Sequence, residues 1–319
     1  MRTSSNVTGA AFMIAAMAGF SLTDATAKLL TEEIGLGQIM FVRGLILTAF
    51  TVLIAWRSRA LSRLGAVSDR RVIARSLCEL VAAVAFLQAL KQMPLANAAS
   101  IIQCLPLAVT LGAALFMKEP VGWRRWSAII VGFVGVMIII QPGPDGFQQG
   151  AGYAVVAMLA ASARDLLTKT IRSDVPAIII TLATAVLLTI GGAVLGTIEQ
   201  DWSMMSWPIM LKLVLAALFL LSGYQFVVFA VRLADISYIA PFRYAGLLWA
   251  TLLGILLFRT YPDANVLIGG AIIVCAGLYS FYRERKKGLE PLAETGQPVA
   301  SEGGGPLVRA EEDLLEERK

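Results

Sequence analysis

The chain has 319 residues, of which 57% are hydrophobic and only 15% charged, and its mean hydropathy of +0.73 excludes a water-soluble globular domain. Its net charge is +5 and it contains no histidine, which removes the commonest neutral-pH proton carrier and the commonest zinc ligand. Any proton moved by this chain must therefore travel on carboxylates. Apolar runs of about 20 residues are long enough to cross a bilayer core of roughly 30 Å as helices. They predict ten spans, at about 7–30, 37–56, 72–91, 95–117, 123–140, 150–171, 177–198, 209–231, 236–258 and 264–282. A transmembrane barrel needs short alternating strands, and no such period is present. The expected fold is an all-α integral membrane bundle.

The first span is too long for a signal-peptide core and carries Asp24 and Lys28 near its far end, so it reads as a membrane helix. Ser21, Asp24 and Lys28 form an S-x-x-D-x-x-x-K signature that returns in the sixth span as Ser162, Asp165 and Lys169. Charges at such depth are costly and mark functional positions. Within each copy the Asp and Lys are spaced i,i+4 and can pair along one helix face. Two readings follow: a local salt bridge with the lysine reaching for the interface, or a gate at each membrane face. Arg164, beside Asp165, has no counterpart in the first copy, where Thr23 stands.

Arg43 is the single cation of the second span. Glu79 is the deepest carboxylate, with Arg75 one turn before it in the third span. It reads either as the best proton-coupling group or as half of a buried Arg75–Glu79 pair. The fourth span contains Asn97, Gln103 and Pro106, and the ninth contains Pro241, Arg243, Tyr244 and Trp249. Proline removes a backbone donor and bends a helix, and matched interruptions in two halves point to a transporter's binding site. Around Arg243 a planar guanidinium lies next to aromatic rings, suited to an aromatic ligand. Gln103, Tyr224 and Gln225 add uncharged donors and acceptors, the alternative being ordinary packing between helices. Cys78, Cys104 and Cys275 fall in apolar segments with neither disulfide nor metal spacing, so no cofactor or metal is expected.

Charge is segregated. The segment from Gly288 onward holds eight acidic and three basic residues, a balance of −5, which leaves +10 on the body. The 57–71 loop carries Arg57, Arg59, Arg63, Arg70 and Arg71, and later loops on the same side carry Lys118, Arg124, Arg125, Arg172, Arg232 and the basic run after Arg283. Loops on the other side (31–37, 141–150 and 199–208) contain no Lys or Arg. The positive-inside rule then puts both termini in the cytoplasm. This basicity sets orientation against a lipid bilayer; nucleic acid is not an expected partner. The Gly-, Pro- and Glu-rich tail reads as disordered, with a short amphipathic stretch at Leu307–Lys319, and QPGPDG (141–146) reads as a tight turn.

Further matches extend the repeat. LANAASI (95–101) resembles LADISYI (233–239), ALFMKEP (114–120) resembles LLFRTYP (256–262), and Gly135 matches Gly277. The register moves from 138 to 142 between these matches, as if the ninth span had gained residues. The expected units are 7–140 and 150–282, five helices each, followed by a cytoplasmic tail at 283–319. Because five is odd, the second unit enters from the opposite face, giving an inverted repeat suited to alternating access.

The duplicated halves, the Lys118-Glu119-Pro120 end of the fourth span, the glycine-containing fifth helices and the basic loop resemble the drug/metabolite transporter superfamily, specifically its ten-helix proteins with two EamA domains. Tyr261-Pro262 departs from the Glu-Pro usual in the second half. SLTDATAKLL, LPLAVTLGAALFMKEPVGWRRW and APFRYAGLLWA are most similar to a proteobacterial subgroup that includes riboflavin importers. The resemblance implies a secondary transporter of the bacterial inner membrane, a monomer or homodimer, moving a small flavin-like molecule. Substrate contacts would then fall to Arg43, Gln103, Tyr224, Arg243, Tyr244 and Trp249, and gating or proton coupling to Asp24, Lys28, Glu79, Asp165 and Lys169. The same family includes exporters of amino acids and other amphipathic metabolites. No P-loop pattern is present, so ATP is not an expected energy source. A membrane-embedded enzyme would need a nucleophile–base set or a metal site, and a channel would need a continuous polar pore; the sparse polar residues favour a carrier.

Overall fold

A computed structural model gives the architecture and describes residues 2–118, 121–142, 148–172, 175–200, 202–234 and 236–286. The predicted tail helix lies outside these residues, as do Glu119, Pro120 and most of the 141–146 turn. Among the described residues the chain is helical with no strand. The helices are α1 (Arg2–Thr31), α2 (Leu36–Arg57), α3 (Arg70–Gln92), α4 (Leu95–Ile102), α5 (Leu105–Phe116), α6 (Trp123–Ile140), α7 (Ala151–Thr170), α8 (Ala177–Glu199), α9 (Trp207–Leu233), α10 (Ile236–Ile239), α11 (Ala245–Phe258) and α12 (Ala264–Lys286). The basic 57–71 loop after α2 contains a 3₁₀ helix at Ala60–Ser68. Asp69 then caps α3 by accepting the Arg71 N–H at 2.7 Å.

Among the described residues, nine segments are long and apolar enough to cross a membrane, the two broken ones counted as single spans. Ala151–Thr170 is helical but is not among the nine. Arg164 and Asp165 lower its apolar character, and both are buried against protein. A belt of exposed large side chains, including Leu53, Ile130, Val134, Val194, Leu218 and Leu267, covers the outside of the bundle as a lipid-facing surface does.

The predicted spans at 95–117 and 236–258 are interrupted. Gln103 and Cys104 separate α4 from α5, and Pro106 sits in the first turn of α5, where its missing N–H costs nothing. In the second half, α10 passes into a 3₁₀ turn at Ala240–Tyr244, with Pro241 again in its first turn, before α11 begins. Each proline thus sits in the first turn after a break in its span.

α1 packs along α9, α3 along α7, α2 along α8 and α6 along α12, while α4 meets α11. Small residues set the closest approaches. A Cβ at Gly37 of α2 would fall on the Gly196 backbone of α8, and one at Gly19 of α1 would meet the Phe219 carbonyl of α9 at 2.9 Å. The ends of α3 and α9 match closely: Met93 (φ −138, ψ 161) and Ala234 (φ −133, ψ 157) are both extended caps. These residues are 141 apart, the spacing of the S-x-x-D-x-x-x-K copies. This corrects the 138-residue register read from LANAASI and LADISYI, in which short apolar strings align equally well one turn out of place.

Candidate functional site

Three polar groupings lie within the bundle. The first is a buried ion cluster between α3 and α7. Glu79 is fully buried, with 0% exposure, and both of its oxygens accept from Arg164 Nη1, at 3.2 and 2.9 Å. Arg75 Nη2 stands 3.5 Å from the same carboxylate. On its other side Arg164 reaches Asp165 Oδ1 through Nε at 2.8 Å and Nη2 at 2.7 Å. Arg75 Nη1 also donates to Thr184 Oγ1 of α8 at 2.6 Å, and Ser76 lies 2.9 Å from that hydroxyl. Two guanidinium groups and two carboxylates thus share one buried volume, so each charge has a partner and the set is neutral. Asp165 Oδ2 is buried without a hydrogen-bond partner among the described residues.

The second grouping lies at the two ends of α3, near the two signature lysines. The i,i+4 contacts expected from the spacing are not the ones made. Lys28 Nζ donates to the Leu90 carbonyl and, at 2.9 Å, to that of Met93, both at the C-terminal end of α3, where carbonyls lack helical partners. It also lies 5.5 Å from the centroid of the Phe258 ring. Asp165 pairs with Arg164, and Lys169 is exposed. At the N-terminal end of α3, Arg71 donates to the Thr170 carbonyl. The two lysines therefore stand at opposite ends of a 23-residue helix, about 34 Å apart along its axis at 1.5 Å per residue.

The third grouping surrounds the helix breaks. Ser21 Oγ donates to the Gly246 carbonyl just after the 3₁₀ turn, at 3.2 Å. Gln103, at the α4–α5 break, and Met17 also lie against Gly246. Met17, Ser21, Asp24 and Lys28 follow helical spacing along one face of α1. On that face Asp24 Oδ1 is buried with no hydrogen-bond partner among the described residues. Its field is shared with Arg43 of α2, which is itself buried.

The aromatic residues divide. Tyr224 is buried edge-on against Phe20, with ring centroids 5.1 Å apart, and is within electrostatic reach of Arg75. Trp249 donates Nε1–H to the Ile14 carbonyl at 3.2 Å, tying α11 to α1. The Tyr244 hydroxyl packs on Gly277, with Arg243 beside it. Asn97 donates to Gln148 at 3.3 Å, and Gln225 faces outward. Arg243 and Tyr244 are thus neighbours, while the Trp249 indole N–H is committed to the Ile14 carbonyl.

Arg164 was absent from the expected site, although its place beside Asp165 was visible in the sequence. Its partner Glu79 is 85 positions away. With the 141-residue register, Thr23, Ala216 and Leu220 of the α1–α9 interface stand where Arg164, Arg75 and Glu79 stand between α7 and α3. There Thr23 Oγ1 donates only to the carbonyls of Gly19 and Ala216, at 3.0 and 3.3 Å. Asp24 therefore lacks the arginine that its counterpart Asp165 has next to it.

Residues 7–141 match the EamA-like transporter family. A riboflavin transporter of Rhizobium johnstonii is 29% identical over 291 residues, covering 89% of this chain and 94% of that protein. A riboflavin transporter of Vibrio cholerae is 30% identical over 197 residues, 61% of this chain and 65% of that protein. An S-adenosylmethionine uptake transporter of Rickettsia prowazekii is 25% identical over 198 residues, 60% of this chain and 65% of that protein. One solved crystal structure superposes with a TM-score of 0.54 at 18% identity, covering 90% of this chain and 99% of its own, a likeness of fold alone.

Proposed function

We propose that this multi-pass EamA-domain transporter is a secondary carrier of the bacterial inner membrane that imports riboflavin or a related planar, amphipathic metabolite by alternating access. Its working parts are two inverted five-helix repeats, 7–140 and 150–282, with both termini in the cytoplasm.

The observation that carries this reading is the exchange symmetry of the packing. Swapping the halves turns the α1–α9 contact into α7–α3 and returns α2–α8 and α6–α12 to themselves. Thr48 and Thr189, 141 positions apart, face each other with hydroxyls 3.3 Å apart, as residues on a two-fold axis do. Repeats related in this way can exchange conformations and so open the same site to either side. The substrate site is the region around Gly246, where Gln103 and the two helix breaks meet the Ser21–Asp24 face of α1 and Arg43. Arg243 and Tyr244 flank it, while Tyr224 and Trp249 act mainly by holding helices.

Proton coupling falls to Asp24 and Asp165, each with a buried oxygen left open, in preference to Glu79, which two arginines occupy. Rescue of a riboflavin auxotroph on limiting riboflavin, followed by saturable, counterflow-stimulated uptake in proteoliposomes, tests the function. Failure of rescue by protein that reaches the membrane overturns flavin import and leaves a metabolite exporter. A second cargo is supported by the relatives named for S-adenosylmethionine uptake and by the open Asp24 carboxylate, which suits a cationic ligand. Competition by S-adenosylmethionine against labelled riboflavin separates the two.

A further inference from the structure

The two ends of the bundle carry the same parts in different arrangements. Lys28 and Lys169 occupy matched places near the ends of α1 and α7. Phe258 and Phe116 occupy matched places, as the last residues of α11 and α5. Leu90 and Met93 at the end of α3 correspond to Val231 and Ala234 at the end of α9. At the Lys28 end the parts are assembled: Lys28 is 8% exposed, donates to both α3 carbonyls and lies over Phe258. At the Lys169 end they stand apart: Lys169 is exposed and Phe116 is 82% exposed.

We propose that the two lysines form a reciprocal latch. Each closes its own end of the bundle by docking on the C-terminal carbonyls of its half's third helix, against the phenylalanine contributed by the other half, and only one is docked at a time. In the structure Lys28 is docked and Lys169 is released; in the opposite state Lys169 takes the Val231 and Ala234 carbonyls and Lys28 lets go. The chemistry suits a switch. A helix C-terminus presents unsatisfied carbonyls and the negative end of the dipole, for which an ammonium is the natural partner. A lysine at a helix end loses little by releasing them, because water solvates its head as soon as the end opens. The phenylalanine excludes that water while the latch is shut, which strengthens the bonds beneath it. This inference rests on the carrier reading and adds to it which residues hold each state.

Thiol labelling in sided membrane vesicles tests the latch without any cargo. Thr31, one turn beyond Lys28, is buried, whereas its match Arg172, one turn beyond Lys169, is exposed. With Cys78, Cys104 and Cys275 changed to Ala, Thr31→Cys and Arg172→Cys, in separate chains, report the two ends to an impermeant maleimide. Lys28→Met should speed labelling at 31 by at least about tenfold, the population shift expected from losing even one of its two charge-assisted hydrogen bonds, and slow it at 172. Lys169→Met touches only an exposed side chain, yet by the latch it should slow labelling at 31 several-fold. Faster labelling at both ends in Lys28→Met, or unchanged labelling at 31 in Lys169→Met, overturns the proposal. Should Lys28→Met not reach the membrane, the Lys169→Met result alone decides. Unmoved labelling with intact uptake sinks the latch and spares the carrier; shifted labelling without riboflavin uptake does the reverse.

Discussion

Arg164→Met is the most demanding perturbation of the buried cluster. It removes the donor to both Glu79 oxygens, at 3.2 and 2.9 Å, and both contacts to Asp165 Oδ1, at 2.8 and 2.7 Å. Glu79 keeps only Arg75 at 3.5 Å, and Asp165 is left as a buried anion without a partner. Breaking a buried pair in this way costs about 3–5 kcal/mol, because the orphaned charge retains its desolvation penalty. For a chain of this size the melting midpoint should fall by on the order of 10 °C, measured by thermal unfolding of the purified protein in detergent. The double variant Arg164→Met/Asp165→Asn removes one charge of each sign and keeps the Arg75–Glu79 pair. It should recover more than half of the loss. Thr23→Ala, at the matched place in the other half, should cost less than about 1 kcal/mol. A stable Arg164→Met protein, or a double variant no better than the single, would refute the account of Arg164 as the centre of a mutually compensated set.

Gly37→Val should yield no monodisperse protein on size exclusion, because its Cβ lands on the Gly196 backbone, whereas Gly152→Ala, with nothing within 4 Å, should behave as wild type. Trp249→Phe loses the bond to the Ile14 carbonyl and should cost about 1 kcal/mol while leaving the half-saturation of uptake within about twofold; a large change in half-saturation alone would return Trp249 to the substrate site. Asp24→Asn should flatten the pH profile of uptake, and an unchanged profile would remove Asp24 from coupling.

Much of the architecture was legible because membrane helices announce themselves by length and apolarity, and because proline and glycine act locally. Pro106 and Pro241 placed the two breaks, and the repeat of Ser21, Asp24 and Lys28 pointed to matched halves. What failed was partner choice. Asp24 with Lys28 and Asp165 with Lys169 have ideal helical spacing, but spacing along one helix ignores what the neighbouring helix offers. Lys28 finds the bare carbonyls that end α3, and Asp165 finds Arg164, whose guanidinium is already oriented by Glu79. The sixth span, expected at 150–171, does form the helix Ala151–Thr170, and its buried Arg164 meets Glu79 of α3, a partner that the sequence of one helix does not name. The register failed for a different reason: Leu, Ala and Ile recur so often that a short match slips by a turn without penalty.

The cluster also defeats the usual logic of a charge swap. For an isolated pair, Glu79→Arg combined with Arg164→Glu should restore stability, since attraction is indifferent to which side carries which sign. Here each member has a second neighbour. Arg75, at 3.5 Å from the Glu79 carboxylate, would face the new guanidinium one turn along α3. Asp165, at 2.7 Å from Arg164, would face the new carboxylate. The swap thus replaces three attractions by one attraction and two like-charge contacts in a medium that screens neither. The reversed double variant should therefore be less stable than Arg164→Met alone, read by the same melting midpoint. Recovery to wild-type stability would mean that Arg75 and Asp165 can turn away to other partners, and that the cluster is a pair with bystanders rather than four charges held in mutual balance.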